Sequence, residues 1–220
     1  MIEYVENKEI IARRIARFFK SGDVVNLGIG LPTMVGNFVP EGVTVILQSE
    51  NGMMGLGPAP EKGKEDKDLT NAGAMPVTVL PGGCFFDSAT SFGIIRGGHV
   101  DYTVLGVLEV DQEGNLANYK IPGKMVPGMG GAMDLVAGSK KVIASTTHLE
   151  KSGNSKLKRR CALPLTAAHE VDIVVTDVGY FTVKDGEFHL VEYFAPYNPE
   201  WVVEHTDADI IIEHDCKEFK

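Results

Sequence analysis

The chain has 220 residues, 44% of them hydrophobic, which is enough to bury a sizeable core in one large domain or two small ones. Lys and Arg total 21 against 30 Asp and Glu, and the net charge of -9 argues against a general nucleic-acid or anionic-membrane binder. Three widely spaced cysteines without a CxxC pair (Cys84, Cys161, Cys216) point to free thiols in a reducing cytoplasm, six histidines show no zinc spacing, and no secretory signal or membrane span is expected.

In chain order, Asn7 is positioned to cap a helix whose apolar face is Ile11, Ile15, Phe18 and Phe19, with Lys20 and Gly22 as its stop. Residues 24–27 read as a strand. Gly28-Ile29-Gly30-Leu31-Pro32-Thr33 follows, with Pro32 suited to a first helical turn. Such a turn can bring backbone N–H groups close to an anion, or it can be a plain strand-to-helix turn. It is not a dinucleotide fingerprint, because Thr33 stands where a third glycine belongs.

Residues 43–47 form a β-branched, apolar run that predicts a buried strand, broken by Gln48-Ser49-Glu50-Asn51-Gly52. Asn51-Gly52 is a turn signal, so a carboxylate sits where a core strand ends. In an open α/β sheet that edge binds ligands, although the pentapeptide alone favours Glu50 as a turn residue that accepts local backbone bonds. Residues 53–58 read as flexible and apolar, and 61–68 as a solvated charge run. A strand is expected at 76–80, then a helix led in by Phe85-Phe86-Asp87-Ser88 with Asp87 or Ser88 as cap, and Arg96 to His99 as its end.

A strand at 102–108 and a turn at 111–115 precede the longest glycine-rich stretch, residues 122–134. Ordering so many glycines costs conformational entropy, and interleaved Met without Ser argues for close backbone approach to a ligand over a flexible linker. Strands at 141–145 and 171–176 bracket a basic cluster of Lys151, Lys156, Lys158, Arg159 and Arg160, read as an exposed loop. A hairpin around Asp185-Gly186, a short helix from Asn198-Pro199 through Trp201 and a strand at 210–212 complete the chain.

With these stretches in hand, the sequence resembles the β subunit of the two-subunit family I coenzyme A transferases, of the acetate/butyrate–acetoacetate and 3-oxoacid type. The resemblance rests on Gly28-Ile29-Gly30-Leu31-Pro32, Ser49-Glu50-Asn51-Gly52, residues 91–99, and Pro122-Gly123-Lys124-Met125 through Gly130-Gly131-Ala132-Met133-Asp134. Four motifs in the right order are far more specific than any one, and residues beyond 180 match more loosely. The resemblance implies an α/β fold, an open mixed sheet flanked by helices and related to sugar-phosphate isomerases, in a single domain over residues 1–220.

It also implies a ping-pong reaction in which Glu50 is the nucleophile and Gly130 or Gly131 supplies an oxyanion N–H. Gly28, Gly30, Asn51 and Gly52 are expected to contact acyl-CoA and acid, with Ser49 and Asn51 either orienting Glu50 or serving only as turn formers. The partner implied is an α subunit, with no metal, and with coenzyme A as substrate in place of a resident cofactor. A carboxylate suits this chemistry because its acyl adduct is itself activated. Rival readings are a sugar-phosphate isomerase or deaminase on the same fold, and a non-catalytic nucleotide-binding module that forms no covalent adduct.

Overall fold

The computed structural model describes residues 2–123 and 128–219. Thus 124–127, the middle of the glycine-rich stretch, lie outside the described residues, as do the two terminal positions. Along the chain run α1 (Ile2–Ala16), β1 (Val24–Leu27), α2 (Leu31–Met34), β2 (Ile46–Ser49), β3 (Met53–Leu56), β4 (Val79–Phe85), α3 (Ser88–Arg96) and β5 (Tyr102–Gly106). They are followed by β6 (Glu109–Asp111), β7 (Leu116–Ala117), α4 (Ala132–Gly138), β8 (Lys141–Ser145), β9 (Leu157–Lys158), β10 (Ile173–Val175), β11 (Gly179–Lys184), β12 (Glu187–Tyr193), α5 (Pro199–Glu204) and β13 (Ile210–Glu218).

The fold is α/β, built on a ten-stranded mixed sheet of order β13-β12-β11-β10-β8-β5-β1-β2-β3-β4. Its centre, β10-β8-β5-β1-β2, is wholly parallel. Central strands are covered on both faces, and their side chains alternate between two cores. Val104, Ile143, Ile173 and Val175 pack with Ile11 and Ile15 of α1 and with Phe19 just beyond it. Leu105, Val142, Ala144 and Val174 face Ile95 of α3, Leu135 and Val136 of α4, and Val202 of α5. Chain order reverses between β1 and β5, so their carboxyl ends form the crevice where open α/β sheets bind ligands.

Several elements differ from the sequence expectation, each for a tertiary reason. The first helix begins at Ile2, so Asn7 lies inside it and donates its side-chain amide to Asp177, 2.9 Å away and 170 residues on. The helix ends at Ala16, and Phe18 and Phe19 pack from the turn beyond. The strand expected at 43–47 is shifted to Ile46–Ser49, because β1 pairs Val24, Val25 and Asn26 with Ile46, Leu47 and Gln48.

Residues 53–56 form an ordered strand, paired antiparallel to β2 on one side and β4 on the other. β4 starts three residues later than expected and runs to Phe85. Ala132, Met133 and Asp134 belong to α4 and not to the loop before it. A small separate sheet, β7-β6-β9, is built from strands too short to leave a periodic signal. β13 extends nine residues because it lies at the sheet edge, where polar positions such as His214 and Lys217 stay solvated.

Other local signals hold. Asp87 caps α3 by accepting the Thr90 N–H at 2.7 Å, and that backbone bond holds its carboxyl below the usual range. Asn198 caps α5 through the Trp201 N–H at 2.8 Å. Asp185 and Gly186 take φ of 52° and 79°, the pair of positive values that suits a two-residue hairpin turn. The basic cluster is largely spent on partners: Lys158 pairs with Asp207, Arg159 with Asp209, and Lys156 Nζ donates to the hydroxyls of Thr146 and Thr147.

Candidate active site

Glu50 occupies the tip of the β2–β3 hairpin, at the carboxyl edge of the parallel strands. The turn is closed by Gly52 N–H donating to the Ser49 carbonyl at 3.0 Å. Gly52 has φ 114°, and a Cβ there would lie 2.1 Å from the Phe86 carbonyl oxygen, so only glycine fits. Its own carbonyl accepts the Phe86 N–H at 2.9 Å, which ties the hairpin to the lead-in of α3.

The Glu50 carboxylate is partly buried and accepts, at Oε1, the backbone N–H of Gly131 at 3.2 Å, a contact spanning 81 residues. Gly131 precedes α4 with φ -83°, an ordinary value, so its lack of a side chain is not needed for backbone conformation. It is needed for space: a Cβ would lie 3.0 Å from Glu50 Cδ, 3.1 Å from Oε1 and 3.2 Å from Phe92 Cζ. Gly130 takes φ 53° and lies a little further back, its added Cβ meeting Oε1 at 3.5 Å. Among the described residues Glu50 forms no ion pair, so Oε1 is held by an amide and Oε2 is not tied up in a salt bridge.

The residues flanking Glu50 form the expected turn, but their side chains bond a neighbouring loop and not Glu50. Ser49 Oγ accepts the Ala72 N–H at 2.9 Å, and Asn51 Nδ2 donates to the Thr70 carbonyl at 2.8 Å. Both therefore clamp residues 70–76 against the hairpin. Asn71 Oδ1 closes that loop on the Gly73 and Met75 N–H groups, and Ala74 takes a left-handed φ of 59°. Met75 is 60% exposed and Ile29 71%, with Ile29 against Gly73, so apolar side chains stand beside the hairpin. No sequence signal joins 49–51 to 70–72, because the link is side chain to backbone across a loop.

Of the other expected binding residues, Gly28 is packed against β5: its N–H donates to the Val104 carbonyl at 2.9 Å, and an added Cβ would meet that oxygen at 2.9 Å. Gly30 has φ 86° with nothing within 4 Å of an added Cβ, so it faces open space at the carboxyl end of β1. Along the same edge, past β5, lies a cavity of about 240 Å³ walled by Leu31, Asn118, Thr146, Lys8 and Lys156. Among the described residues no group of three or more His, Cys, Asp or Glu is placed to hold a metal ion. No helix among them is long and apolar enough to cross a membrane.

Beneath the hairpin, Asn26 of β1 donates to Gln48 Oε1 at 2.7 Å, and Gln48 donates to Ser91 Oγ of α3 at 3.2 Å. Sequence reasoning passed over these three residues. Asn26, a polar residue between Val25 and Leu27 in a short apolar strand, is the signal that marks them.

Known proteins resemble this chain over most of its length. The coenzyme A transferase family model matches residues 8–204. The chain is 56% identical to the beta subunit of the acetate CoA-transferase of Escherichia coli K12 over 188 residues, covering 86% of each. It is 48% identical to one subunit of a probable succinyl-CoA:3-ketoacid coenzyme A transferase of Bacillus subtilis, covering 94% of this chain and 96% of that one. Among solved structures, an acyl-CoA transferase of Escherichia coli O157:H7 superposes with a TM-score of 0.76 at 24% identity, covering 97% of this chain and 43% of the other. That likeness speaks for the fold, and this chain spans less than half of the structure it matches. By the extent of the family match and the identity to its relatives, this chain belongs to the coenzyme A transferase family.

Proposed function

We propose that this chain is the β subunit of a coenzyme A transferase that moves CoA between short carboxylic and 3-oxo acids through a thioester on Glu50. The observation that carries the reading is the Glu50–Gly131 contact: a carboxylate at the carboxyl edge of a parallel sheet with a backbone N–H fixed on one of its two oxygens. A carboxylate nucleophile has no proton to lose on attack, so no general base is required. Oε2 attacks the acyl-CoA carbonyl and expels CoA thiolate, giving a mixed anhydride. The thiolate then attacks Glu50 Cδ and expels the first acid, leaving glutamyl-CoA. The second acid attacks Cδ, the thiolate returns to the new acyl carbonyl, and Glu50 is regenerated.

In both attacks on Cδ the developing negative charge falls on Oε1, the atom that faces the Gly131 N–H. A preorganised donor of this kind is worth roughly 3 kcal/mol of transition-state stabilisation. Displacing a thiolate by a weaker base is uphill, and binding energy from the rest of CoA can offset it. Water has to be kept from the anhydride, and Ile29 and Met75 are placed to help once a partner covers them. Gly30, at the open end of β1, is the glycine best placed to let substrate approach the backbone.

Both relatives are named as single subunits of their enzymes, and we propose that an α subunit completes the site here with a further oxyanion donor. The three free thiols suit a reducing cytoplasm, where we place the enzyme. Steady-state kinetics of the assembled enzyme test the reading. Parallel double-reciprocal lines are expected with acetate, butyrate or acetoacetate as acceptor, with turnover lost in Glu50→Ala and negligible turnover from this chain alone. Sequential kinetics, or full activity without a partner, would refute it. A preference for succinate or 3-oxoadipate in kcat/KM would move the enzyme to another branch of the family.

A further inference from the structure

We propose that Gln48 is a positioning residue for the Glu50 carboxylate, acting through the buried relay Asn26–Gln48–Ser91. This rests on the reading of Glu50 as the nucleophile.

The relay stands where the fold alone would favour carbon. On the sheet face covered by α3 and α4, the central strands present Leu105, Val142, Ala144 and Val174, with the buried Thr103 of β5 the polar exception, in register with Asn26. The adjoining pair on β1 and β2, in register with each other, is instead Asn26 and Gln48. Both are 3% exposed and Ser91 is fully buried. Asn26 Nδ2 donates to Gln48 Oε1 at 2.7 Å and to the Gln48 carbonyl at 3.3 Å, while Gln48 Nε2 donates to Ser91 Oγ at 3.2 Å. Gln48 thus uses both ends of its amide, and no apolar residue of that shape can do the same. A buried hydrogen-bonded network restricts the arrangement of the elements it joins.

Those elements are the ones that make the site. β1 leads into Gly28 and Gly30, and β2 leads within two residues to Glu50. α3 carries Phe92, next to Ser91, and Phe92 abuts Gly131, the donor to Glu50. Asp134 of α4 is further tied to Arg96 of α3 at 2.6 Å. The chain of contacts from Gln48 through Ser91, Phe92 and Gly131 returns to Glu50, so the Gly131–Oε1 distance depends on how α3 sits over β2. Removing the relay lets that distance change without touching either reacting group.

The test uses the enzyme assembled with its α subunit. Wild-type protein is first loaded with acetoacetyl-CoA; failure to form a thioester on Glu50 would refute the nucleophile reading and leave nothing for the relay to position. Given that adduct, Gln48→Met is expected to lower kcat and the single-turnover rate of thioester formation together, by about 10- to 100-fold, with KM for acyl-CoA within about threefold. Ser91→Ala should act in the same direction less strongly, and the double variant should be little worse than Gln48→Met, because both break one relay. Gln48→Glu, which can accept from both Asn26 and the Ser91 hydroxyl, should recover part of kcat. A purely structural role would lower the unfolding temperature and leave the kinetics of the folded fraction unchanged. If Gln48→Met does not assemble, Ser91→Ala decides. A folded, assembled variant with kcat within about twofold of wild type, or a loss carried by KM alone, overturns the proposal.

Discussion

Substituting Gly131 by alanine adds one methyl group at the point where the account needs space most. The Cβ would stand 3.0 Å from Glu50 Cδ and 3.2 Å from Phe92 Cζ, tighter than ordinary carbon contacts, so the carboxylate or the ring has to give by a few tenths of an ångström. The backbone at Gly131, φ -83°, accepts alanine, so folding should be nearly unaffected. The N–H survives but no longer meets Oε1 at 3.2 Å. A displacement of about 1 Å can cost roughly 100-fold in rate, so a shift of several tenths together with a weakened oxyanion contact should cost about 10- to 100-fold in kcat. Gly130→Ala is the control with the opposite balance. Its Cβ meets Oε1 at an ordinary 3.5 Å, but φ of 53° strains alanine by roughly 1 kcal/mol. It should lose more stability and less kcat than Gly131→Ala. CoA exchange kinetics and thermal unfolding of both assembled variants provide the comparison. A Gly131→Ala enzyme at wild-type kcat would refute the geometric argument, as would the reverse ordering of the two variants.

Gly52→Ala places a Cβ 2.1 Å from the Phe86 carbonyl oxygen at φ 114°, and should cost about 3 kcal/mol or more, read as a fall in unfolding temperature of roughly 6–12 °C; a fall under about 2 °C would contradict the stated contact. His148, stacked on Phe181 and tilted against Trp201, has its imidazole pushed by burial from 6.5 down to about 4. The unfolded chain therefore binds one more proton than the folded one between those values, so stability falls as pH drops through that window, by on the order of 3 kcal/mol in full. Urea unfolding from pH 7 to pH 4 should show this slope, and His148→Phe should lose up to one proton of it; an unchanged slope would rule His148 out as its source.

Where a signal was local, the sequence was legible. The strand at 141–145 is found at those residues, the Asp87 and Asn198 caps make the bonds their chemistry suggests, and Asp185-Gly186 turns its hairpin. Glu50 at a strand end was readable because Asn51-Gly52 must turn. What could not be read was set by contacts between distant segments. The register of β2 follows its pairing with β1 and not the β-branched run at 43–45. Asn7 serves Asp177 and not a helix end. Ser49 and Asn51 serve residues 70–72, and the choice of Gly131 over Gly130 as donor depends on an approach across 81 residues. The β6, β7 and β9 strands, two or three residues each, exist only because they meet.

The measurement that bears most directly on the central claim is peptide mass analysis of the assembled enzyme after incubation with acyl-CoA and no acceptor acid. The thiolate released in the first step is held beside an activated glutamyl carbonyl, where effective concentration favours its return. A CoA thioester on the peptide containing Glu50, cleaved by hydroxylamine or reduced by borohydride and absent in Glu50→Ala, is the predicted result. An adduct mapped to Cys84 instead, or wild-type turnover in Glu50→Ala, would contradict the account.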